Sequence, residues 1–172
     1  MLKVIGAALL ILACGSLGLG RAAAYRRRPA ELRAIRSALT MLETEIVYGA
    51  TALPEAFARV SRRCDRAVAP LFQAAAEELE AMSGLTAAEA WDRALRFYYP
   101  ATSLAPQDLA PLRDLGASLG VSDREDQRRH LRLAVEQLGA GGAAAELEAA
   151  KNEKIWSYMG FLGGLMIVLL LI

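Results

Sequence analysis

The chain has 172 residues, is 55% hydrophobic and 23% charged, and carries a formal net charge of +1. That balance argues against nucleic acid as a partner, which calls for a strong basic excess. Two cysteines, Cys14 and Cys64, make no disulfide framework and fit a reducing compartment. Strand patterns are nearly missing outside the termini, while alanine, leucine, arginine and glutamate, all good helix formers, dominate.

From Val4 to Gly20 the chain is uncharged, with Lys3 before it and Arg21, Arg26, Arg27 and Arg28 after it. At about 1.5 Å rise per residue such a run comes close to spanning a ~30 Å hydrocarbon core. We read residues 1–21 as a transmembrane helix and 22–28 as its basic stop-transfer flank. A cleaved leader, or a lipid attached at Cys14 in Ile11-Leu12-Ala13-Cys14, is the competing reading. It would make the protein an exported or lipid-anchored adaptor with its domain outside the cytoplasm.

Pro29 suits the first turn of the next helix, on which Leu32, Ile35, Leu39, Leu42 and Ile46 recur at spacings of three and four. That stripe ends near Gly49. Pro54 opens a shorter helix with Phe57, Val60 and Cys64, and Asp65 can cap a third with Val68, Leu71, Phe72, Ala75, Leu79 and Met82, although Pro70 in its opening turns would put the start nearer Ala69; Ser83-Gly84 breaks it. Thr86 and Glu89 have capping-box spacing before a helix carrying Trp91, Leu95 and Tyr98. Pro111 belongs to the first turn of a fifth helix, and Gly120 is a left-handed terminator. Ser122-Asp123-Arg124-Glu125 reads as a second capping box, opening a last helix with Leu131, Val135 and Leu138. Gly139, Gly141 and Gly142 are expected to bend or interrupt it. The fold class is all-α: a compact bundle of about six amphipathic helices over residues 29–150, flanked by N- and C-terminal transmembrane helices.

The second membrane segment is 155–172, with Trp156 and Tyr158 where aromatic rings favour the membrane boundary. Gly160 and Gly164 share one helix face, with Gly163 beside them, so helix backbones can approach closely there. Gly6, Ala13 and Gly20 are possible counterparts in the first segment. Lys151 and Lys154 precede the second segment and no charged side chain follows it, so the positive-inside rule puts residues between the segments in the cytoplasm.

Catalytic signals are sparse. His130 is the sole histidine, flanked by Arg129 and Leu131, and no metal-binding, phosphate-binding or nucleophile motif occurs. Cys64 lies between Arg63 and Arg66, which would lower a thiol pKa, yet a half-buried packing role is the plainer reading. We expect no catalytic residues, no metal, no cofactor and no enzymatic activity.

Three stretches together carry a resemblance: LETEIVYGATALPEA (Leu42–Ala56), SLGVSDREDQRRHL (Ser118–Leu131) and EKIWSYMGFLGGLMIVLLLI (Glu153–Ile172). With TAAEAW ending at Trp91 and the MLKVIGA start, the chain resembles the stage III sporulation protein AB family. The resemblance implies a part in endospore formation, in a multi-protein, secretion-like channel complex between mother cell and forespore. It implies a two-pass protein of the mother-cell membrane, likened to the platform protein F of type II secretion. Its partners would be the other complex proteins, including a cytoplasmic ATPase, besides membrane lipids and further copies of itself. Among the matching residues, Gly49, Gly120, Ser122, Asp123 and Glu125 have structural reasons as terminators or caps. Glu43, Glu45, Tyr48, Arg124 and Gln127 are the candidates for a partner surface, against fold-stabilising hydrogen bonds.

Overall fold

A computed structural model of the chain describes residues 26–81, 84–121 and 123–171, with side chains as far as Asn152. Among the described residues all regular structure is helical, in six α-helices. They are α1 (26–43), α2 (Leu53–Arg63), α3 (Ala69–Glu80), α4 (Ala87–Tyr98), α5 (Ala110–Ser118) and α6 (Arg124–Leu171). A π-helical turn, Thr44–Tyr48, ends α1, and 3-10 turns at Tyr99–Ala101 and Pro106–Leu109 lie between α4 and α5. No helix among the described residues is long and apolar enough to cross a membrane. The expected 1–21 span lies outside the described residues, and 155–171 is backbone only, the end of α6.

Two units divide the chain: residues 30–142, and residues 1–29 with 143–172. In the larger unit, Leu32, Ile35, Leu39, Leu42 and Ile46 are all buried, as their spacing required. Burying each such side chain contributes roughly 1.5–3 kcal/mol. Beyond them α2 packs on α3, α3 on α4 and α4 on α5. Three rings centre that packing: Phe57 stacks on Trp91 at 5.5 Å, and Phe72 meets Trp91 edge-on at 5.7 Å. The Trp91 indole N–H, buried among them, donates to the Leu112 carbonyl at 2.7 Å, which joins α4 to α5. In the smaller unit, Arg28 on α1 pairs with Glu148 on α6 at 3.1 Å, and Ala145 and Ala149 are buried.

Five expectations need correction. Asp65 does not cap α3, whose N-cap is Val68; its Oδ1 takes the Ala67 N–H at 2.8 Å instead, in the turn before the helix. The first helix does not begin at Pro29 after a separate basic flank, because residues 26–28 are already helical. Nor do the glycines interrupt α6, which runs unbroken from Arg124 to Leu171. A glycine weakens a helix by about 1 kcal/mol relative to alanine, not enough to break a helix held by its neighbours. Here the missing side chains admit close neighbours: Cβ atoms would sit 3.1 Å from the Arg36 guanidinium at Gly139 and 3.5 Å from Asp108 Oδ1 at Gly141.

The second capping box is one residue out of register. Asp123 is the acceptor, its Oδ1 taking the Asp126 N–H at 2.8 Å, so Glu125 falls in the first turn and pairs with Arg128 at 3.5 Å. Ser122 lies outside the described residues. The first box is as expected: Thr86 Oγ1 accepts the Glu89 N–H and Glu89 accepts the Thr86 N–H. Finally, α1 does not continue as an α-helix to Gly49. Its last turn widens, with the Gly49 N–H donating to the Thr44 carbonyl at 3.0 Å.

Candidate partner-binding surface

The end of α1 is where most of the candidate residues meet. Its π-turn closes on Gly49, whose backbone is right-handed (φ −76°), so handedness does not explain the glycine. Space does: a Cβ there would lie 2.7 Å from the Glu45 carbonyl and 2.9 Å from the Thr51 hydroxyl. The next residue, Ala50, takes the left-handed conformation instead (φ 49°), which is uncommon without a glycine. Gly120 differs, being left-handed itself (φ 77°) as a helix terminator.

Two carboxylates brace this turn in opposite directions. Glu43 accepts from Arg132 Nε at 2.8 Å and has Arg128 Nε at 3.6 Å, which ties α1 to α6. Glu45 pairs with Arg59 at 3.1 Å and Arg63 at 3.6 Å and accepts the Thr51 hydroxyl at 3.1 Å, which ties the turn to α2. Both side chains are largely covered, 13% and 14% exposed. Their hydrogen bonds hold Arg132 charged, with a raised pKa; for Arg59 the Glu55 bond acts first and Glu45 second. Lone pairs occupied in this way are not offered to a partner.

Tyr48 is different. Two residues past the buried Ile46, it stands 72% exposed. Arg124 is exposed at the start of α6, whereas Gln127 is only 8% exposed and faces inward. The outer side of α6 from Glu125 to Glu136 carries Arg128, Arg129, Arg132 and Leu133 along an open depression of about 460 Å³. Leu133 is itself 47% exposed. Tyrosine and arginine are among the side chains that most often supply anchors in protein interfaces.

Of the five candidates, then, the structure leaves Tyr48 and Arg124 open to solvent and engages Glu43 and Glu45 in bracing contacts. Gln127 is a buried α6 residue whose position past Asp123 turns it toward the core. The arginines of the two braces escape sequence reasoning. Their signal is present as two pairs four apart, Arg59 with Arg63 and Arg128 with Arg132, each on one helix face. Gly160, Gly163 and Gly164 fall in α6, beyond the described side chains.

Elsewhere the chemistry is quiet. Burial pushes the Cys64 thiol up, opposite to what its arginine neighbours suggest, and the thiol contacts the Ser61 carbonyl at 3.8 Å. Burial likewise raises the Tyr98 phenol, helped by Glu31. Among the described residues no three histidine, cysteine or carboxylate side chains converge as a metal site.

The family model described as stage III sporulation protein AB matches residues 3–172. Stage III sporulation protein AB of Bacillus subtilis (strain 168) is 37% identical over 171 residues, covering 99% of each chain. A solved structure of stage III sporulation protein AB superimposes with a TM-score of 0.67 at 34% identity, covering 72% of this chain and 97% of its own. Its helical fold is therefore the family's fold, and the resemblance in the three stretches extends along the whole chain. The chain belongs to the stage III sporulation protein AB family.

Proposed function

We propose that this protein is a non-enzymatic membrane platform of a secretion-like channel complex in endospore formation. Two apolar terminal segments, 1–21 and 155–172, tether the helical domain to the mother-cell membrane. The domain, between the basic flank at 22–28 and Lys151, lies in the cytoplasm and offers Tyr48 and Arg124 to the complex's other proteins, its ATPase among them. The observation that carries this reading is kinship along the full length, apolar ends included, to a stage III sporulation protein AB. The exposed ring of Tyr48 on a braced turn supports a docking role, since a tyrosine side chain has few rotatable bonds to immobilise on binding.

The test is complementation in Bacillus subtilis lacking its own stage III sporulation protein AB. Heat-resistant spores should return when this chain is produced, and a reporter inserted at Gly84 should be active in the cytoplasm. Spores that stay absent although the chain accumulates in the membrane would contradict the function. A reporter active only outside would contradict the topology and favour the exported adaptor.

A further inference from the structure

A π-turn closes its backbone hydrogen bond five residues on, where an α-turn closes after four. At the end of α1 this bond runs from the Gly49 N–H to the Thr44 carbonyl at 3.0 Å. Along the helix, Gly49 therefore follows Thr44, Tyr48 follows Glu43 and Val47 follows Leu42. In an α-helical turn each would fall one place earlier in that order, a shift of about 100° around the axis. Tyr48 would then follow Thr44, and Val47 would follow Glu43.

Those two lines lead to opposite flanks of α1. Glu43 points to α6, where Arg132 Nε lies at 2.8 Å and Arg128 Nε at 3.6 Å. Thr44 borders a small hollow with Glu45 and, from α2, Arg59, Val60 and Arg63. One extra residue in the turn thus decides whether the ring stands on the α6 flank or the α2 flank. Burial agrees with the wide register: Val47, behind the buried Leu42, is half-buried, while Tyr48 stands open. Glu43 does most to hold Arg132 charged, and Tyr48 adds to it across the same flank.

The turn is kept wide from its far end. Gly49 leaves no room for a Cβ beside the Glu45 carbonyl, 2.7 Å away. Thr51 donates its N–H to that carbonyl at 3.0 Å and its hydroxyl to the Glu45 carboxylate at 3.1 Å. Between them Ala50 takes its left-handed conformation, a strain that persists only where the surroundings over-determine it.

We propose that this π-turn is a positioning device for the Tyr48 ring: its extra residue moves the ring from the α2 flank of α1 to the α6 flank, beside Arg128 and Arg132. The placement rests on the docking role given to Tyr48 above and adds the side from which a partner is met. Glu45, Gly49 and Thr51 are positioning residues that act through the ring.

The test moves the ring and the turn separately in the full-length chain, produced in Bacillus subtilis lacking its own stage III sporulation protein AB, with membrane levels measured. Exchanging two side chains, Val47→Tyr with Tyr48→Val, takes the ring off the α6 flank. Heat-resistant spores should then fall at least tenfold, as with Tyr48→Ala. Deleting Val47 closes the turn after four residues yet keeps the tyrosine in line with Glu43, so the count should stay within threefold of the parent. Cross-linking reads the placement itself should either variant fail to accumulate. With Cys14→Ser and Cys64→Ser, a short bifunctional thiol reagent should join Tyr48→Cys to Arg132→Cys. That yield should exceed Val47→Cys with Arg132→Cys, and Tyr48→Cys with Arg63→Cys, at least fivefold. Full counts from the exchange, or a tenfold loss on deleting Val47 at parental level, overturn the placement and leave the docking role standing. A full count for Tyr48→Ala overturns both. Cross-linking that favours position 47 or Arg63 overturns the placement alone.

Discussion

Replacing Gly116 by alanine tests the packing of α4 on α5 most sharply. A Cβ at 116 would overlap Trp91 Cδ1, on a ring that is fully buried and stacked on Phe57. The ring cannot swing aside without straining its 2.7 Å bond to the Leu112 carbonyl or its contact with Phe72 at 5.7 Å. Overpacking of this kind costs about 1–3 kcal/mol, and losing the buried hydrogen bond costs about 1 kcal/mol more. Against that, alanine regains about 1 kcal/mol of helix propensity. The net loss is roughly 1–3 kcal/mol, a fall in Tm of about 5–15 °C for a domain of this size. Gly142→Ala is the matched control, because its Cβ would meet Leu32 at an ordinary 3.9 Å. It should be neutral or stabilising by up to ~1 kcal/mol. Thermal unfolding of the full-length chain in detergent, followed by circular dichroism, compares the two. Equal effects, or an unchanged Tm for Gly116→Ala, would refute the packing argument.

Other expectations concern the helix starts and the surface. Asp123→Ala should destabilise the domain by about 1 kcal/mol and Ser122→Ala by much less, by denaturant titration, since Asp123 holds the α6 cap. Thr86→Ala should likewise cost about 1 kcal/mol. The Thr86 backbone N–H and hydroxyl depress the Glu89 carboxyl below its usual 4.5. A depressed carboxyl stabilises the fold above the unfolded-state pKa and stops doing so as pH falls through the folded value. The Glu89→Gln deficit should therefore be full at pH 7 and shrink below pH 4.5, and a deficit growing on acidification would contradict the cap. Tyr48→Ala should leave stability within about 0.5 kcal/mol of the parent in the same titration, because the ring is exposed.

How much of the fold is legible in the sequence depends on the kind of interaction involved. Apolar spacing reports burial directly, so Leu32, Ile35, Leu39, Leu42 and Ile46 are readable as one buried face. Thr86 and Glu89 are readable because both halves of a local hydrogen-bonded box lie within four residues. At Asp123 two acceptors stand side by side, and spacing does not say which one the helix uses. The π-turn is silent in the pattern, since one widened turn leaves Leu42 and Ile46 on the buried side. Gly139, Gly141 and Gly142 mislead because their neighbours, Arg36, Asp108 and Leu32, come from distant parts of the chain. The candidate surface divides for the same reason. Glu43 reads as an open carboxylate because its partner Arg132 lies 89 residues away, out of reach of local spacing.

The docking role proposed for Tyr48 predicts that its ring serves sporulation and not folding. Its most direct test is the heat-resistant spore count in Bacillus subtilis lacking its own stage III sporulation protein AB, complemented with this chain or with Tyr48→Ala, the membrane level of each measured alongside. At equal levels the Tyr48→Ala count should fall at least tenfold below that of the unaltered chain. Equal counts at equal levels would contradict the claim.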